Sequence, residues 1–426
     1  MKDIVVKEII DRELDRQRYE LNMIPSENYC SEDVLKACGS VLNNKYSEGY
    51  SGKRYYQGNR FIDEVELLAI ERAKKLFSAD HANVQANSGS PANMAAYFAV
   101  LNPGDKIMGM DLTHGGHLTH GSKVNFSGKM YNFVSYGVQE NGLLDMDKIR
   151  KLAYEEKPKM IISGYTAYPR KIDFKEFFSI CQEIGAYALA DVSHIAGLCV
   201  GGEHENPAPY FDITTSTTHK TLRGPRSAVI LCNKEDRFAS VEGLDEKKAK
   251  KTKDLGGKID RAVFPGLQGG PHEHTIAAKA VCFQEAMGDD FKNYASQIVK
   301  NAKALAESLQ TYGMTLVSGG TDNHLILIDL VKTKGEASLG KPIAVALEKA
   351  GIVMNANTIP FEPGSPFKPS GLRLGTPVLT TRGMKEQEMD LVGHWISEVV
   401  KDHTNEDKLK FINNKVKELC THFTFY

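Results

Sequence analysis

The residue of this chain best suited to covalent chemistry is Lys220. It closes the hydroxyl-rich stretch Thr214-Thr215-Ser216-Thr217-Thr218-His219. A desolvated lysine near other cations has a lowered amine pKa and forms Schiff bases with carbonyl compounds. An exposed strand-end lysine is the plainer alternative. It fits poorly, because Gly224-Pro225-Arg226 follows and another apolar run returns at once. Asp191 ends the apolar run Ala186–Ala190, where a carboxylate can hold a pyridinium nitrogen protonated and make that ring an electron sink. A turn or cap aspartate is the competing reading. His194, three residues on, is placed to orient the carboxylate, and Gly197 permits close approach.

Two further segments add to these. Asn87-Ser88-Gly89-Ser90 lies between an extended run and a helix, so free backbone N–H groups and the helix dipole favour an anion such as phosphate. Taken alone, the same residues are an ordinary N-cap. Thr113-His114-Gly115-Gly116-His117-Leu118-Thr119-His120-Gly121 carries three histidines, which raises a metal reading. No acidic or thiol partner lies nearby in sequence, and glycines stand where a ligand-bearing helix would be. A flat imidazole on such a loop suits stacking on a planar ring, and no metal is expected.

The elements that must position these residues follow from periodicity. Ile62, Val65, Leu68, Ala69, Ala73 and Leu76 predict a helix over Phe61–Phe77. The extended run Ala82–Ala86 leads into the Asn87–Ser90 turn, and Pro91 starts the helix Ala92–Leu101. Lys159–Ser163 reads as a buried strand. Phe174, Phe177, Phe178, Cys181 and Ile184 mark a helix face that Gly185 ends, and Asp212–Thr218 and Ser227–Cys232 are strands flanking Lys220. Strands separated by helices predict an α/β fold: a large, mostly parallel sheet with helices on both faces. Ligands then bind beyond the carboxyl ends of the strands, where each of these features falls. Past residue 271, a long helical region (Ala277–Tyr312), an extended run (Leu325–Leu330), a Pro/Gly-rich loop (Ile359–Gly371) and a C-terminal helix predict a smaller α+β domain. The charge-rich stretch Lys234–Asp260 reads as a solvated surface loop.

At 426 residues, 41% apolar and 25% charged, with formal net charge −1, the chain has an ordinary globular composition. It gives no electrostatic reason to bind nucleic acid or an anionic membrane. The one basic tract, Lys247–Lys251, is diluted by Glu242, Asp245, Glu246 and Asp254. Seven scattered cysteines without a CxxC predict reduced thiols and a cytoplasmic location. No apolar run reaches the ~20 residues of a membrane span, and the N-terminus is too acidic for a transit peptide.

Nine segments taken together resemble the serine hydroxymethyltransferases, pyridoxal-phosphate enzymes of the aspartate-aminotransferase-like (fold type I) class. They are SENY (Ser26–Tyr29), NKYSEGY (Asn44–Tyr50), GKRYYQG (Gly52–Gly58), NSGSPAN (Asn87–Asn93), HGGHLTHG (His114–Gly121), TTHKTLRGPR (Thr217–Arg226), FPGLQGGPH (Phe264–His272), SGGTDNHL (Ser318–Leu325) and SGLRLGTP (Ser370–Pro377). The resemblance implies reversible transfer of the serine hydroxymethyl carbon to tetrahydrofolate, giving glycine. It implies pyridoxal 5′-phosphate on Lys220, with Asp191 at the pyridine nitrogen and His117 stacked on the ring. Ser88, Gly89 and Ser90 would hold the phosphate, His194 would lie near the ring hydroxyl, and Thr166 and His219 would add cofactor contacts. Arg373, assisted by Ser26, would bind the amino-acid carboxylate, a task for a guanidinium fork. Glu48 would transfer protons, with Tyr46 and Tyr56 beside it. These three and the Gly269-Gly270 turn would reach across a homodimer interface into the neighbour's site; a tetramer is the alternative assembly. Leu112, Gly116, Leu118 and Asn357 would line the folate, or a related pterin. The implied organisation is an N-terminal arm on the partner (1–40), a large cofactor domain (41–270) and a small domain (271–426). Pro25 and Ala356 depart from the family's usual alanine and lysine, and neither removes a catalytic group.

Overall fold

Seven strands build the main sheet of the computed structural model, which describes all of Met1–Tyr426. They are β1 (His81–Asn83), β2 (Lys106–Met110), β3 (Asn132–Tyr136), β4 (Met160–Ser163), β5 (Tyr187–Asp191), β6 (Ile213–Thr217) and β7 (Ala228–Cys232). Their order is β1-β7-β6-β5-β4-β2-β3. Only β7 runs antiparallel, to β6 on one side and β1 on the other. The carboxyl ends of β1 to β6 therefore share one edge, as the alternation of elements predicts.

Both faces are covered, and the strands show it. Ile107, Met160, Ile162, Leu189 and Ile213 enter one core, whereas Met108, Ile161, Ala188 and Ala190 enter the other. Alternate residues point to opposite faces, yet both sets are apolar, as a sheet sandwiched between helices requires. The exception is β6, where three threonines and a serine are buried. Burying a hydroxyl is costly unless it is bonded; Thr215 donates to Asn93 Oδ1 at 2.6 Å, whereas Thr214 Oγ1 has no partner.

The helices needed here are α1 (Ile4–Tyr19), α2 (Arg60–Phe77), α3 (Gly89–Val100), α4 (Phe174–Ile184), α5 (Glu273–Ala286) and α6 (Asp289–Thr311). Gly185 ends α4 at φ 70°, the left-handed position a C-terminal glycine favours. Helix α3 starts two residues before Pro91. The long helical region expected over Ala277–Tyr312 is two helices, broken at Met287-Gly288. The expected single C-terminal helix is three: Pro377–Thr381, Glu386–Lys401 and Glu406–His422.

The charged stretch is not the loop expected of it. It is helical over Glu246–Lys253 and Leu255–Arg261. Asp245 accepts from the Lys248 amide and Asp254 from the Gly257 amide, two N-caps in series. Leu255 and Ile259, one turn apart, are buried and dock the second helix.

A third core lies away from the main sheet. It joins Leu21, Met23 and Tyr29 to Leu305, Leu309, Ile326, Leu372 and Ile396. Its sheet comprises β8 (Leu325–Asp329), β9 (Asn355–Asn357) and β10 (Gly371–Gly375), antiparallel in the order β8-β10-β9. Leu21 and Asn22 pair in parallel with Ile352 and Val353, which brings the N-terminal segment beside β10. Helix α6 bridges the cores, with Ile298 in the core of Met108 and Ile161 and Leu305 in the third. No helix is long and apolar enough to cross a membrane.

Candidate active site

The shared carboxyl edge carries a small cavity lined by Gly89, His117, His120, Tyr165, Thr166, Asp191, Ser193, His194, Thr217 and Lys220. Five strand ends supply it: β1 leads to Gly89, β2 to His117, β4 to Tyr165 and Thr166, β5 to Asp191 and β6 to Lys220.

Lys220 lies on a tight connection between the antiparallel pair β6 and β7. Thr218 and Gly224 close it: the Gly224 amide donates to the Thr218 carbonyl at 2.7 Å, and the Thr218 hydroxyl to the Pro225 carbonyl at 2.6 Å. Gly197 packs against this loop, its amide bonded to Thr221 Oγ1 at 3.0 Å; a β-carbon there would collide with the Thr221 carbonyl. Burial lowers the Lys220 amine to about 8, opposed by Asp191 and aided by Arg373 and Arg226. A neutral, nucleophilic amine is thus accessible near physiological pH.

Asp191 is buried but fully held. Its Oδ1 accepts from the Ser193 amide (3.1 Å) and hydroxyl (2.5 Å), and its Oδ2 from Asn93 (2.9 Å). His120 Nε2 stands 3.3 Å from Oδ2. Burial alone would push this carboxyl up; the hydrogen bond and charge of His120, the charge of His117 and the Ser193 hydroxyl outweigh it, and the group stays well below the usual carboxylate range. The orienting role expected of His194 is filled by these residues instead. His194 turns away to pair with His324, Nδ1 to Nε2 at 3.3 Å, with the rings stacked 5.5 Å apart. Burial keeps both imidazoles neutral.

His117 lines the cavity with its Nδ1 2.7 Å from Thr119 Oγ1, and burial lowers it to about 4. The three histidines of its loop do different things: His114 Nδ1 accepts from the Val138 amide at 3.1 Å, and His120 serves Asp191. Across the cavity, Ser88 precedes α3 with no hydrogen bond from its side chain to the helix, and Ser90 lies in the first turn. Gly89 is required by space, since a β-carbon would come within 2.8 Å of Thr217 Cγ2.

Arg373, on β10, points its fork at neutral partners only: Nε donates to Asn355 Oδ1 (3.0 Å) and Nη1 to the Thr166 carbonyl (2.7 Å). Burial lowers its pKa to about 10. No carboxylate compensates this guanidinium, and its charge acts on the Lys220 amine. Pro25, next to Ser26, packs on Gly375 of the same strand.

The remaining expected residues lie elsewhere. Tyr46, Glu48 and Tyr56 form an outward patch, with Tyr46 Oη 3.3 Å from Glu48 Oε1 and the two tyrosine rings edge to face at 5.1 Å. Gly269 lies against Glu48 and Gly270 against Tyr46. None of these five lines the Lys220 cavity. Gln268 ties the turn to the phosphate-type loop, accepting from the Asn87 amide at 3.1 Å and donating to the Gln85 carbonyl at 2.7 Å. His219 faces a separate groove shared with Arg226, His274 and Tyr426. Leu112 and Leu118 are exposed, Gly116 accepts from Thr166 Oγ1 at 3.0 Å, and Asn357 is on β9.

Sequence reasoning missed Asn93, His120, Ser193 and His324. Asn93 is one helical turn beyond Ser90, and Ser193 follows Asp191 by the two residues of an Asx turn; both spacings were visible. Nothing local distinguishes His324, whose partner is 130 residues away.

A family model described as serine hydroxymethyltransferase matches residues 1–396. A serine hydroxymethyltransferase of Methanosarcina barkeri (strain Fusaro / DSM 804) is 54% identical over 420 residues, 98% of this chain and 97% of the relative. The match over almost the full length is decisive: this chain belongs to the serine hydroxymethyltransferase family.

Proposed function

We propose that the protein transfers the hydroxymethyl carbon of serine to tetrahydrofolate, releasing glycine, with pyridoxal 5′-phosphate held on Lys220. The observation that carries this is the buried Lys220 amine, lowered toward neutrality, in one cavity with an ionised, fully hydrogen-bonded Asp191.

The residues fit the cofactor. A Gly-containing turn at the start of the twelve-residue α3 suits a phosphate, and Asp191 suits a protonated ring nitrogen. His117, neutral above about pH 4, covers a ring face, and Thr166 and His194 close the pocket. When bound, pyridoxal phosphate supplies an aldehyde for the lysine amine and a pyridinium ring that takes up carbanion charge. Lys220 offers the amine, and Asp191 keeps the ring nitrogen protonated. Arg373, with Ser26 beside it, binds the substrate carboxylate through two parallel hydrogen bonds. Glu48 carries the proton that the hydroxyl oxygen of the transferred carbon needs to leave as water.

Tyr46, Glu48, Tyr56 and the Gly269-Gly270 turn act in the neighbouring subunit's site, so the working unit is a homodimer. Helix α1 supports this, because Ile4, Val5, Val6, Ile9 and Ile10 are all exposed. An isolated soluble helix does not present such a face without a partner. Leu112, Gly116, Leu118 and Asn357 receive the folate. His219 approaches the cofactor from the groove side. Seven free thiols support a reducing, cytoplasmic setting.

The test is turnover of serine by the purified protein with and without tetrahydrofolate. Cleavage that depends on tetrahydrofolate is expected. Equal rates without it would make the enzyme a folate-independent aldolase.

A further inference from the structure

Beneath the Tyr46–Glu48 patch is a group of buried charges that the reaction described above does not use. Ser47 is wholly buried between exposed Tyr46 and half-buried Glu48. Its hydroxyl donates to Glu273 Oε1 at 2.6 Å. Arg54 Nη1 donates to the carbonyls of Ser47 (2.8 Å) and Gly49 (2.9 Å), the residues on either side of Glu48. Gln85 Nε2 adds a second donor to the Gly49 carbonyl at 2.9 Å. The backbone of Glu48 is therefore pinned on both flanks, and the peg on its N-terminal side ends in a carboxyl.

We propose that Glu273, acting through Ser47, is the positioning residue that fixes the Tyr46–Glu48 segment and sets where the Glu48 carboxylate lies. The proposal rests on the reading that Glu48 moves a proton in serine cleavage. Burying two carboxylates, Glu66 and Glu273, around one guanidinium is costly where apolar packing would serve the fold better. Glu66 Oε2 stands 3.1 Å from Arg54 Nη2, and Glu273 Oε1 stands 3.9 Å from Nη1. Glu273 Oε2 and Glu66 Oε1 have no hydrogen-bond partner. The groups facing Glu273 are Glu66 from α2, Arg54 from the hairpin after Glu48, and Lys279 from α5 itself. Asp63 takes Arg54 Nε at 2.8 Å, and Gln85 takes Glu66 Oε2 at 2.9 Å. Lys279 is committed elsewhere, to the carbonyls of Val84 and Ala228.

This geometry has a pH consequence. Burial raises Glu273 to about 7, against the Ser47 hydrogen bond and with help from Glu66. Below that pH the carboxyl is neutral and accepts from Ser47. Above it, a second negative charge competes with the two carbonyls for Arg54, and the hold on Glu48 loosens.

The experiment compares wild type, Ser47→Ala, Glu273→Gln, Glu273→Leu and the Ser47→Ala/Glu273→Leu double variant as holoenzymes with serine and tetrahydrofolate. Ser47→Ala and Glu273→Leu should each lower kcat roughly tenfold, the scale of a small misplacement, with serine KM little changed because the Arg373 fork is held by Asn355 and Thr166 and by neither of these residues. The double variant should be no worse than the poorer single, as for residues acting through one contact. Glu273→Gln keeps the acceptor without the charge; it should retain kcat and lose the wild-type inflection near pH 7. Its thermal midpoint should rise relative to wild type between about pH 4.5 and about pH 7 and hold level above that, since in this interval the unfolded chain has released a proton that the folded Glu273 retains. An unchanged kcat in Ser47→Ala, additive losses, or an inflection and thermal profile that survive in Glu273→Gln would overturn the proposal. If Glu273→Leu does not fold, the other two single variants decide. Absence of tetrahydrofolate-dependent turnover in wild type would instead sink the proposed function, leaving the thermal comparison to judge Glu273.

Discussion

Lys220 and Arg373 owe their reactivity to different uses of burial. For the lysine, burial opposes the charge until the amine is neutral near pH 8; the arginine remains cationic and lacks an anion. The rate at which the cofactor-free protein binds added pyridoxal phosphate should rise about tenfold per pH unit up to about 8 and then level off, because only the neutral amine attacks. A rate that keeps rising past pH 9 would mean an unshifted lysine. The same depression makes stability rise with pH between about 8 and the ordinary lysine value, where the unfolded chain holds a proton that the folded one lacks. For the arginine, Arg373→Lys should raise serine KM roughly 10- to 100-fold, as one charged hydrogen bond of the fork is lost; steady-state kinetics measure it. At this scale Asp191 and Lys220 were legible as candidates because Asp191 ends one readable strand and Lys220 closely follows another, whereas Arg373, in the middle of β10, was named only through the family resemblance. The sequence reading misassigned the partner of Asp191. A three-residue offset to His194 looked suitable, yet the chain after β5 turns that ring toward His324 and leaves Asp191 to Asn93, Ser193 and His120.

The elements were legible where apolar spacing was strong, as in α2, α4 and the central strands. They were misread where a polar surface hid a local signal. Lys234–Asp260 is mostly charged, but two aspartate caps and the Leu255/Ile259 pair suffice to fold helices there. The break at Met287-Gly288 was hidden because α5 and α6 both continue the helical apolar pattern. We propose that cofactor retention depends on the β1–α3 junction. Gly89→Ala should destabilise the protein by about 1–3 kcal/mol, the cost of overpacking against Thr217, and weaken binding of pyridoxal phosphate. Denaturant titration and cofactor release measure both. Unchanged stability and cofactor affinity would mean that the turn does not constrain the site.

For the whole molecule, the proposed homodimer rests on two features of the single chain. The Lys220 cavity and the Tyr46–Glu48–Tyr56 patch are separate within one chain, and α1 presents an apolar face to solvent. We propose that the boundary between large and small domains, expected near residue 270, is bridged by α6, since its two halves enter different cores. The sequence reading expected a smaller domain after residue 271, but it did not show that Leu21, Met23 and Tyr29 join the C-terminal core from the opposite end of the chain. If sites are shared, mixing Glu48→Gln and Lys220→Ala subunits should restore about a quarter of wild-type activity, because half of random dimers are hybrids with one complete site each. No restoration after subunit exchange would place Glu48 in its own chain's site.

The most direct measurement is borohydride reduction of the pyridoxal-phosphate-loaded protein, followed by peptide mass mapping. The pyridoxyl group should be found on Lys220 alone. Labelling of Lys279, the other fully buried lysine lowered toward neutrality, or of surface lysines with Lys220 unmodified, would contradict the assignment.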